Sequence, residues 1–209
     1  MASNKWIMGA VCALTISSAA LTASADTARP RFVPITEDML TDEQKALPGI
    51  KRALEGGTWN PNGFDALMLR NPGLQQAQLQ MAMAVMMGTP DRQPALSKEL
   101  MELTIMLVAG KWQNATLSKG HAPAAIEAGL TQAMLDAIAA GERPPGMNEA
   151  QAAVHDFATE LLNTHRVKDD TFASLKEHLG EPEIVDLIAV MGMYTSSVML
   201  MNVADIQSH

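Results

Sequence analysis

The chain has 209 residues, of which 47% are hydrophobic, 18% charged and 4% aromatic, a composition that supports a hydrophobic core and excludes a wholly disordered chain. The formal net charge is −8 and no basic run occurs, so nucleic acid and anionic membrane surfaces are not expected partners. The single cysteine excludes an internal disulfide, a CxxC redox pair and a thiolate metal cluster.

The N-terminal 25 residues have the pattern of a cleaved signal peptide. Lys5 precedes an uncharged apolar run over residues 7–20, which is shorter than the roughly 20 residues of a membrane-spanning helix. Residues 23–25 (Ala-Ser-Ala) then supply a small-residue cleavage site. We therefore expect residues 1–25 to be removed, residues 26–209 to form the mature domain, and the protein to be exported, most simply to a bacterial periplasm, without membrane attachment. An uncleaved anchor is the alternative.

The first part of the mature domain predicts an extended arm followed by helices. Two prolines favour an extended arm over residues 29–34, and Thr41 is a suitable N-cap for the helix behind it. Glycine, asparagine and proline residues mark the loops that separate the next segments. The predicted helices cover residues 42–55, a short segment at 64–68, and residues 74–87 with a glutamine-rich face and a Met/Ala/Leu face.

The second part predicts a series of capped helices. Ser97, Thr131 and Asn148 are suitable N-caps, with Gln151 completing a capping box, and Gly129 favours a Schellman ending. No segment shows the sustained alternation of a strand. The sequence therefore predicts one all-α domain of about eight helices. The later helices are expected over residues 98–111, 114–128 and 131–141, then from residue 148, and finally over residues 170–179 and 183–205.

Glu102 lies within an almost entirely apolar helix, between Met101 and Leu103. Such a helix is buried nearly all round, and an unpaired buried carboxylate costs several kcal/mol, so Glu102 is expected to be protonated or to find a partner. His121, on the next predicted helix, is the nearest candidate. A Glu102–His121 pair would fix the tautomer of the imidazole and leave its other nitrogen able to move protons. A purely structural pair, or an exposed Glu102, is the alternative.

The other histidines and the methionines give weaker signals. His155, His165, His178 and His209 are expected to be solvated, and the sequence contains no HxH, HExxH or carboxylate-rich cluster, so no metal site is predicted. Many methionines lie on apolar helices, where they fill gaps and form adaptable contact surfaces. Copper(I) binding by their thioethers is an alternative.

Several blocks, taken together, resemble the carboxymuconolactone decarboxylase family, which is related to the alkylhydroperoxidase D-like proteins. They are PRFVPITEDML at 30–40, NGFDALMLRNPGL at 62–74, residues 96–130, and EPEIVDLIAVMGMYTSSVMLMNVADI at 181–206. The resemblance implies an all-α bundle that assembles into homotrimers or homohexamers, with pockets near the subunit contacts.

The resemblance also implies roles for individual residues. Glu102 and His121 occupy the family's glutamate and histidine positions, whereas Asn114 and Leu117 fall where the peroxidase members have cysteines, so thiol-based peroxide reduction is not expected. Decarboxylase members commonly carry a Glu-Trp pair before the histidine, and here residues 117–118 are Leu-Ser.

The resemblance and the residues together predict a cofactor-free lyase or isomerase that acts on a small unsaturated carboxylate or lactone. His121 would be the general acid/base, and Glu102 would orient it. Trp112, Thr116, Ser118 and Tyr194 are the candidate substrate-binding residues, Tyr194 because a phenol hydroxyl in an apolar helix needs a partner. The alternative is a non-catalytic periplasmic binding or assembly protein of the same fold, which the missing Glu-Trp pair favours.

Overall fold

A computed structural model describes residues 31–88 and 93–206, and all regular structure in these two segments is helical. The all-α prediction is confirmed. The predicted signal peptide at residues 1–25 lies outside the described residues. Short turns of 3-10 helix and π-helix occupy Glu37–Met39 and Met83–Met87, and the ten α-helices are α1 Asp42–Lys45, α2 Pro48–Glu55, α3 Phe64–Met68, α4 Pro72–Ala82, α5 Lys98–Lys111, α6 Ala115–Glu127, α7 Gln132–Ala140, α8 Glu149–Thr164, α9 Asp169–Lys176 and α10 Glu181–Ala204.

Helix α5 lies at the centre of the fold. Residues 101–109 are all buried, with Leu103 and Ile105 fully inaccessible, because α6, α7, α8 and α10 pack around this helix. Helix α7 approaches α5 closely at Gly110, where an added Cβ would lie 2.7 Å from the carbonyl oxygen of Ile138. An apolar sequence without a polar face is therefore the composition that this position requires.

The predicted helix ends are confirmed by their backbone geometry. Gly129 adopts a φ of +111° after α6, and the N–H of Leu130 donates to the carbonyl of Ala125 at 3.0 Å, as in a Schellman motif. The side chains of the predicted N-caps each accept a hydrogen bond from a backbone N–H in the first helical turn: Thr41, Ser97, Thr131 and Asn148. Thr41 and Asn148 also form capping boxes.

The helix predicted over residues 42–55 is instead two helices, which accounts for part of the difference between about eight predicted helices and the ten described. Leu47 is extended, with φ −61° and ψ 130°, and Pro48 begins α2. The proline ring disfavours helical backbone at the preceding residue, so the chain breaks there. The helix predicted over residues 74–87 likewise begins earlier, at Pro72, and ends in the π-helical turn.

Residues 31–88 form a layer, here called the N-terminal layer, which packs on the bundle formed by residues 93–206. The layer has a small core of its own, with Leu40, Ile50 and Leu69 buried together. Arg31 Nη1 donates to the carbonyl of Val203 at 2.9 Å and so joins the layer to the end of α10. Helices α1 and α4 contain no buried residue, whereas three of the five residues of α3 are buried, so burial within the layer differs from helix to helix.

Helix α10 is, among the described residues, the one helix with the length and composition of a membrane-spanning segment. Its most apolar window has a mean hydropathy of 1.7, and half of that window is buried inside the protein. Packing against α5 explains this composition.

Candidate active site

A cavity of about 1080 Å³ lies between the N-terminal layer and the bundle. Helices α2, α3 and α4 contribute one side of it. Helices α6 and α10 contribute the other side, through residues that include Thr116, Leu117, Gly120 and His121 on α6 and Met193, Tyr194, Ser197 and Met201 on α10. The cavity thus brings together residues from both ends of the sequence.

Glu102 and His121 form the pair that the sequence predicts. Glu102 Oε2 lies 2.9 Å from His121 Nδ1, and the exposed fractions of the two side chains are 5% and 23%. The carboxylate accepts a hydrogen bond from Nδ1–H, which places the lone pair of the neutral imidazole on Nε2. Within the described residues Nε2 makes no hydrogen bond, and His121 belongs to the cavity wall. The geometry therefore leaves one ring nitrogen available to a ligand.

Tyr194 packs on His121 from the next wall of the cavity. The two rings meet edge to face, with centroids 5.1 Å apart and an interplanar angle of 89°. Burial, and then the nearby charge of Glu102, raise the pKa of the Tyr194 phenol above its usual value, so the hydroxyl stays protonated. That hydroxyl donates to Met86 Sδ at 3.7 Å. Because a thioether is a weak acceptor, a ligand oxygen could replace it.

The other three predicted substrate-binding residues are placed differently. Thr116 lines the cavity, and its hydroxyl donates to the carbonyl of Ile206 at 3.3 Å. Trp112 and Ser118 are not in the cavity wall. Trp112 caps the end of α5 and packs against the core, and its carbonyl accepts a hydrogen bond from Asn202 Nδ2 at 3.1 Å. The structure thus brings Thr116 and Tyr194 together with His121 in the cavity wall, but not Trp112 or Ser118.

Sequence reasoning missed a polar pair in the cavity wall, formed by Gln78 and Ser197. Gln78 Nε2 on α4 donates to Ser197 Oγ on α10 at 2.8 Å, and both residues line the cavity. Ser197 Oγ in turn donates to the carbonyl of Met193 at 2.9 Å. The glutamine-rich face of α4 was the visible signal, but its partner lies 119 positions further along the chain.

Asp65, on α3, is a second titratable group in the cavity wall that the sequence did not single out. Burial raises the pKa of its carboxyl above the ordinary value of 3.8. Its helix, α3, contributes the aromatic ring of Phe64 to the same wall.

His155, His165 and His178 do not line this cavity, and His209 lies outside the described residues. His155 was expected to be solvated, but it is 8% exposed. Its Nδ1 lies 2.8 Å from Asp156 Oδ1, and Arg143 donates to the same carboxylate through Nη2 at 3.1 Å. His155 thus belongs to a charged cluster that joins the loop after α7 to α8, which is a contact that helical periodicity does not reveal. His165 ends α8 in a left-handed conformation.

The methionines divide between the cavity wall, the core and the surface. Met193 and Met201 line the cavity, Met191 is 4% exposed in the core, and Met87 is 74% exposed. Across residues 31–88 and 93–206, no three or more His, Cys, Asp or Glu side chains converge as a metal-binding group.

Comparison with known proteins gives matches of structure only. No family model and no curated protein matches the sequence. A peroxidase-related protein from Ralstonia eutropha with an alkylhydroperoxidase AhpD core matches with a TM-score of 0.69 and 18% identity, over 86% of this chain and 92% of that one. A protein of unknown function from Agrobacterium tumefaciens, described as an AhpD-type antioxidant defence candidate, matches with a TM-score of 0.59 and 15% identity, over 68% and 94%. The chain therefore has the AhpD-like helical fold.

Proposed function

We propose that this protein is a cofactor-independent lyase or isomerase of the carboxymuconolactone decarboxylase type, which acts on an unsaturated carboxylate or lactone. The observation that carries the proposal is a histidine in the wall of a large cavity, held by a buried carboxylate. His121 has one nitrogen bound to Glu102 and the other free. This is the arrangement of a general acid/base whose tautomer is fixed by a second residue.

In an isomerisation, His121 Nε2 takes a proton from the carbon next to the carbonyl group. The electron pair of that C–H bond moves into an enolate, and the imidazolium then returns the proton to another carbon of the conjugated system. In a decarboxylation, the C–C bond to the carboxylate breaks, CO2 leaves, and the protonated imidazole delivers its proton to the carbanion-like carbon. In both reactions the proton is transferred through Nε2 of His121.

Glu102 acts on the reaction through His121. The imidazolium that forms during proton transfer is stabilised by an adjacent carboxylate, and this effect is larger at a buried site than in water. Glu102 is 4% exposed and belongs to the most deeply packed helix. It is therefore a positioning residue that also balances charge, and it has no contact with the cavity itself.

Tyr194 supplies the second element of the mechanism. Its hydroxyl remains protonated, because burial and the charge of Glu102 raise its pKa. A hydrogen bond from this hydroxyl to the carbonyl oxygen of the substrate would stabilise the enolate oxygen as charge develops there. The edge-to-face contact with His121 keeps both groups on one side of the cavity.

A non-catalytic binding protein is the second candidate, and the size of the cavity favours it. Its volume of about 1080 Å³ lies at the upper end of the ~300–1,000 Å³ range of small-molecule sites, and exceeds what a small lactone needs. A thiol peroxidase is disfavoured, because the chain has one cysteine, Cys12, and positions 114 and 117 hold Asn and Leu.

The experiment measures proton transfer directly. Purified protein is incubated in heavy water with unsaturated lactones and with the corresponding carboxylates, and deuterium incorporation is followed by NMR together with the loss of ultraviolet absorbance. His121→Asn should lower the rate by about 10²- to 10⁴-fold, the contribution of a positioned acid/base. Glu102→Gln should cause a smaller loss.

His178→Asn is the matched control, since His178 lies outside the cavity wall, and this variant should keep the wild-type rate. If His121→Asn retains full activity, the assignment is wrong. If every compound binds but none exchanges or is converted, the binding protein is the correct alternative.

Export and assembly belong to the same proposal. We infer that residues 1–25 are cleaved and that the protein reaches the periplasm, which N-terminal sequencing of the secreted protein tests. Assembly as a homotrimer or homohexamer is supported by apolar side chains on the outer face of α10, where Val185, Ile188 and Val203 are 63%, 46% and 58% exposed. Light scattering of the purified protein measures the number of subunits.

A further inference from the structure

The charges in the cavity wall restrict the ligand. In the part of the chain that the structure describes, no Lys or Arg lines the cavity, whereas Glu43 and Asp65 do. Glu102 lies directly behind His121. The imidazole therefore faces a site whose other formal charges are negative, and a protonated His121 is already balanced by Glu102. A carboxylate that enters would lose water without gaining a cationic partner, which is costly.

The uncharged part of the wall is mostly apolar. Side chains from α3, α4 and α10, together with the segment between α1 and α2, give it this character: Leu47, Phe64, Met68, Leu79, Met193 and Met201. An apolar ligand body gains free energy by leaving water for such a surface. The volume of about 1080 Å³ allows a body considerably larger than one small ring.

The Gln78–Ser197 pair adds a specific polar position. Ser197 has one hydroxyl proton, which it donates to the carbonyl of Met193 at 2.9 Å. It must therefore accept from Gln78, so the nitrogen of the Gln78 amide faces Ser197, at 2.8 Å. The Gln78 carbonyl oxygen makes no hydrogen bond within the described residues. Because Gln78 lines the cavity, this oxygen can accept a hydrogen bond from a donor on the ligand.

The two polar positions are both anchored on α10. Tyr194 and Ser197 are three residues apart on this helix, so they lie on the same face about one turn apart. Tyr194 offers a donor for a carbonyl oxygen near His121. Gln78, held by Ser197, offers an acceptor at a separate position of the wall.

We propose that the ligand is an uncharged carbonyl compound with an apolar body and with a hydroxyl or N–H group away from its reactive carbonyl, such as a hydroxylated unsaturated lactone. Carboxylates bind weakly because no Lys or Arg of the described residues in the wall pairs with them, so the inference favours the isomerisation over the decarboxylation. This rests on the proposed function for the role of the carbonyl end, and it selects the lactone from the two substrate classes given there. Gln78 is the specificity-determining residue.

The experiment compares three lactones that share one alkyl-substituted unsaturated ring. One carries a hydroxyl group on its side chain, one carries hydrogen there, and one carries a carboxylate. Calorimetry with the full chain at neutral pH gives the dissociation constants. The hydroxylated lactone should bind most tightly, and the carboxylate about 100-fold more weakly, because its charge is left unpaired.

Two variants of α4 identify the residue responsible. Gln78→Met should remove the preference for the hydroxylated lactone, a change of about 3- to 10-fold, the worth of one neutral hydrogen bond. Gln80→Met changes the same residue type on the same helix outside the cavity wall and should keep the preference. Gln75→Arg places a cation in the wall and should strengthen binding of the carboxylate lactone by at least about 10-fold. Circular dichroism confirms that each variant is folded.

The results separate this inference from the proposed function. Equal binding of the carboxylate and hydroxylated lactones would overturn the inference, and so would a hydroxyl preference that survives in Gln78→Met. Binding of the hydroxylated lactone with the expected selectivity but without deuterium exchange would support the inference and contradict the proposed catalytic role of His121.

Discussion

The bundle and the N-terminal layer contribute to the same cavity in different ways. In the bundle, residues 101–109 of α5 are buried without a break, and this helix fixes Glu102 against His121. In the layer, α4 has no buried residue, and Leu79 and Met83 are 47% and 43% exposed. The reactive pair thus lies on the densely packed side, whereas Gln78 reaches the cavity from the exposed helix α4 and meets Ser197 of the bundle.

This difference suggests a division of roles. A proton-transfer group must keep its geometry, which close packing provides. The residues that distinguish ligands can lie on a helix that contributes little to stability, since substitutions there change the wall of the cavity and leave the core intact. The following substitutions test that division, beginning with the largest expected effect.

Removing a leucine side chain should lower the free energy of unfolding far more in the bundle than in the N-terminal layer. Leu103→Ala, at a fully buried position of α5, should lower the free energy of unfolding by about 2–5 kcal/mol, because it leaves a cavity in the core. Leu79→Ala, on α4, should lower it by about 0.5 kcal/mol or less. Urea unfolding followed by circular dichroism measures both. Similar losses for the two variants would mean that the layer and the bundle are equally well packed.

Adding a methyl group should show the same difference between the bundle and the N-terminal layer, with a smaller change in the free energy of unfolding. Gly110→Ala would bring its Cβ within 2.7 Å of the Ile138 carbonyl oxygen, so α5 and α7 would have to separate. We expect a loss of about 1–3 kcal/mol. Gly49→Ala, in the first turn of α2, meets no atom within 4 Å and should be neutral or stabilising by up to about 1 kcal/mol. Thermal unfolding midpoints compare them, and a stable Gly110→Ala variant would contradict the close approach.

The features of the bundle that could be predicted are those that depend on residues close together in the sequence. The caps at Ser97 and Thr131 follow from hydroxyl groups placed before apolar runs. The Glu102–His121 pair followed from one argument, that a carboxylate in an all-apolar helix needs a partner and that the next helix carries one candidate. A short connection between the two helices made the pairing predictable.

The cavity could not be predicted in this way, because its walls come from distant parts of the chain. Gln78 and Ser197 are separated by 119 positions, and nothing in the periodicity of α4 indicates which helix its glutamine face meets. The positions of Trp112 and Ser118 could not be predicted either. Both residues lie close to His121 in sequence but outside the cavity wall. The break before Pro48 was a local signal that the helical pattern of residues 42–55 outweighed.

Asp65 allows the smallest test, because it is an ionisable group of the N-terminal layer. Burial raises the pKa of its carboxyl, so the folded protein binds this proton more tightly than the unfolded chain does. The stability that Asp65 contributes is therefore complete below pH 3.8, the ordinary value, and is lost as the pH rises through the raised value. Asp65→Asn should accordingly stabilise the protein at pH 7 and have no such effect below pH 3.8.

The expected gain is on the order of a few tenths of a kcal/mol at most, because the Asp65 side chain is exposed to solvent and solvent screens its charge. Asp170→Asn is the matched control, since both residues occupy the second position of a helix. Each variant loses the favourable effect of a negative charge near a helix N-terminus, but only Asp65 lines the cavity. Urea midpoints at pH 7 should therefore favour Asp65→Asn over Asp170→Asn. The reverse order would mean that the cavity wall does not penalise a carboxylate, and would remove one support for an uncharged ligand.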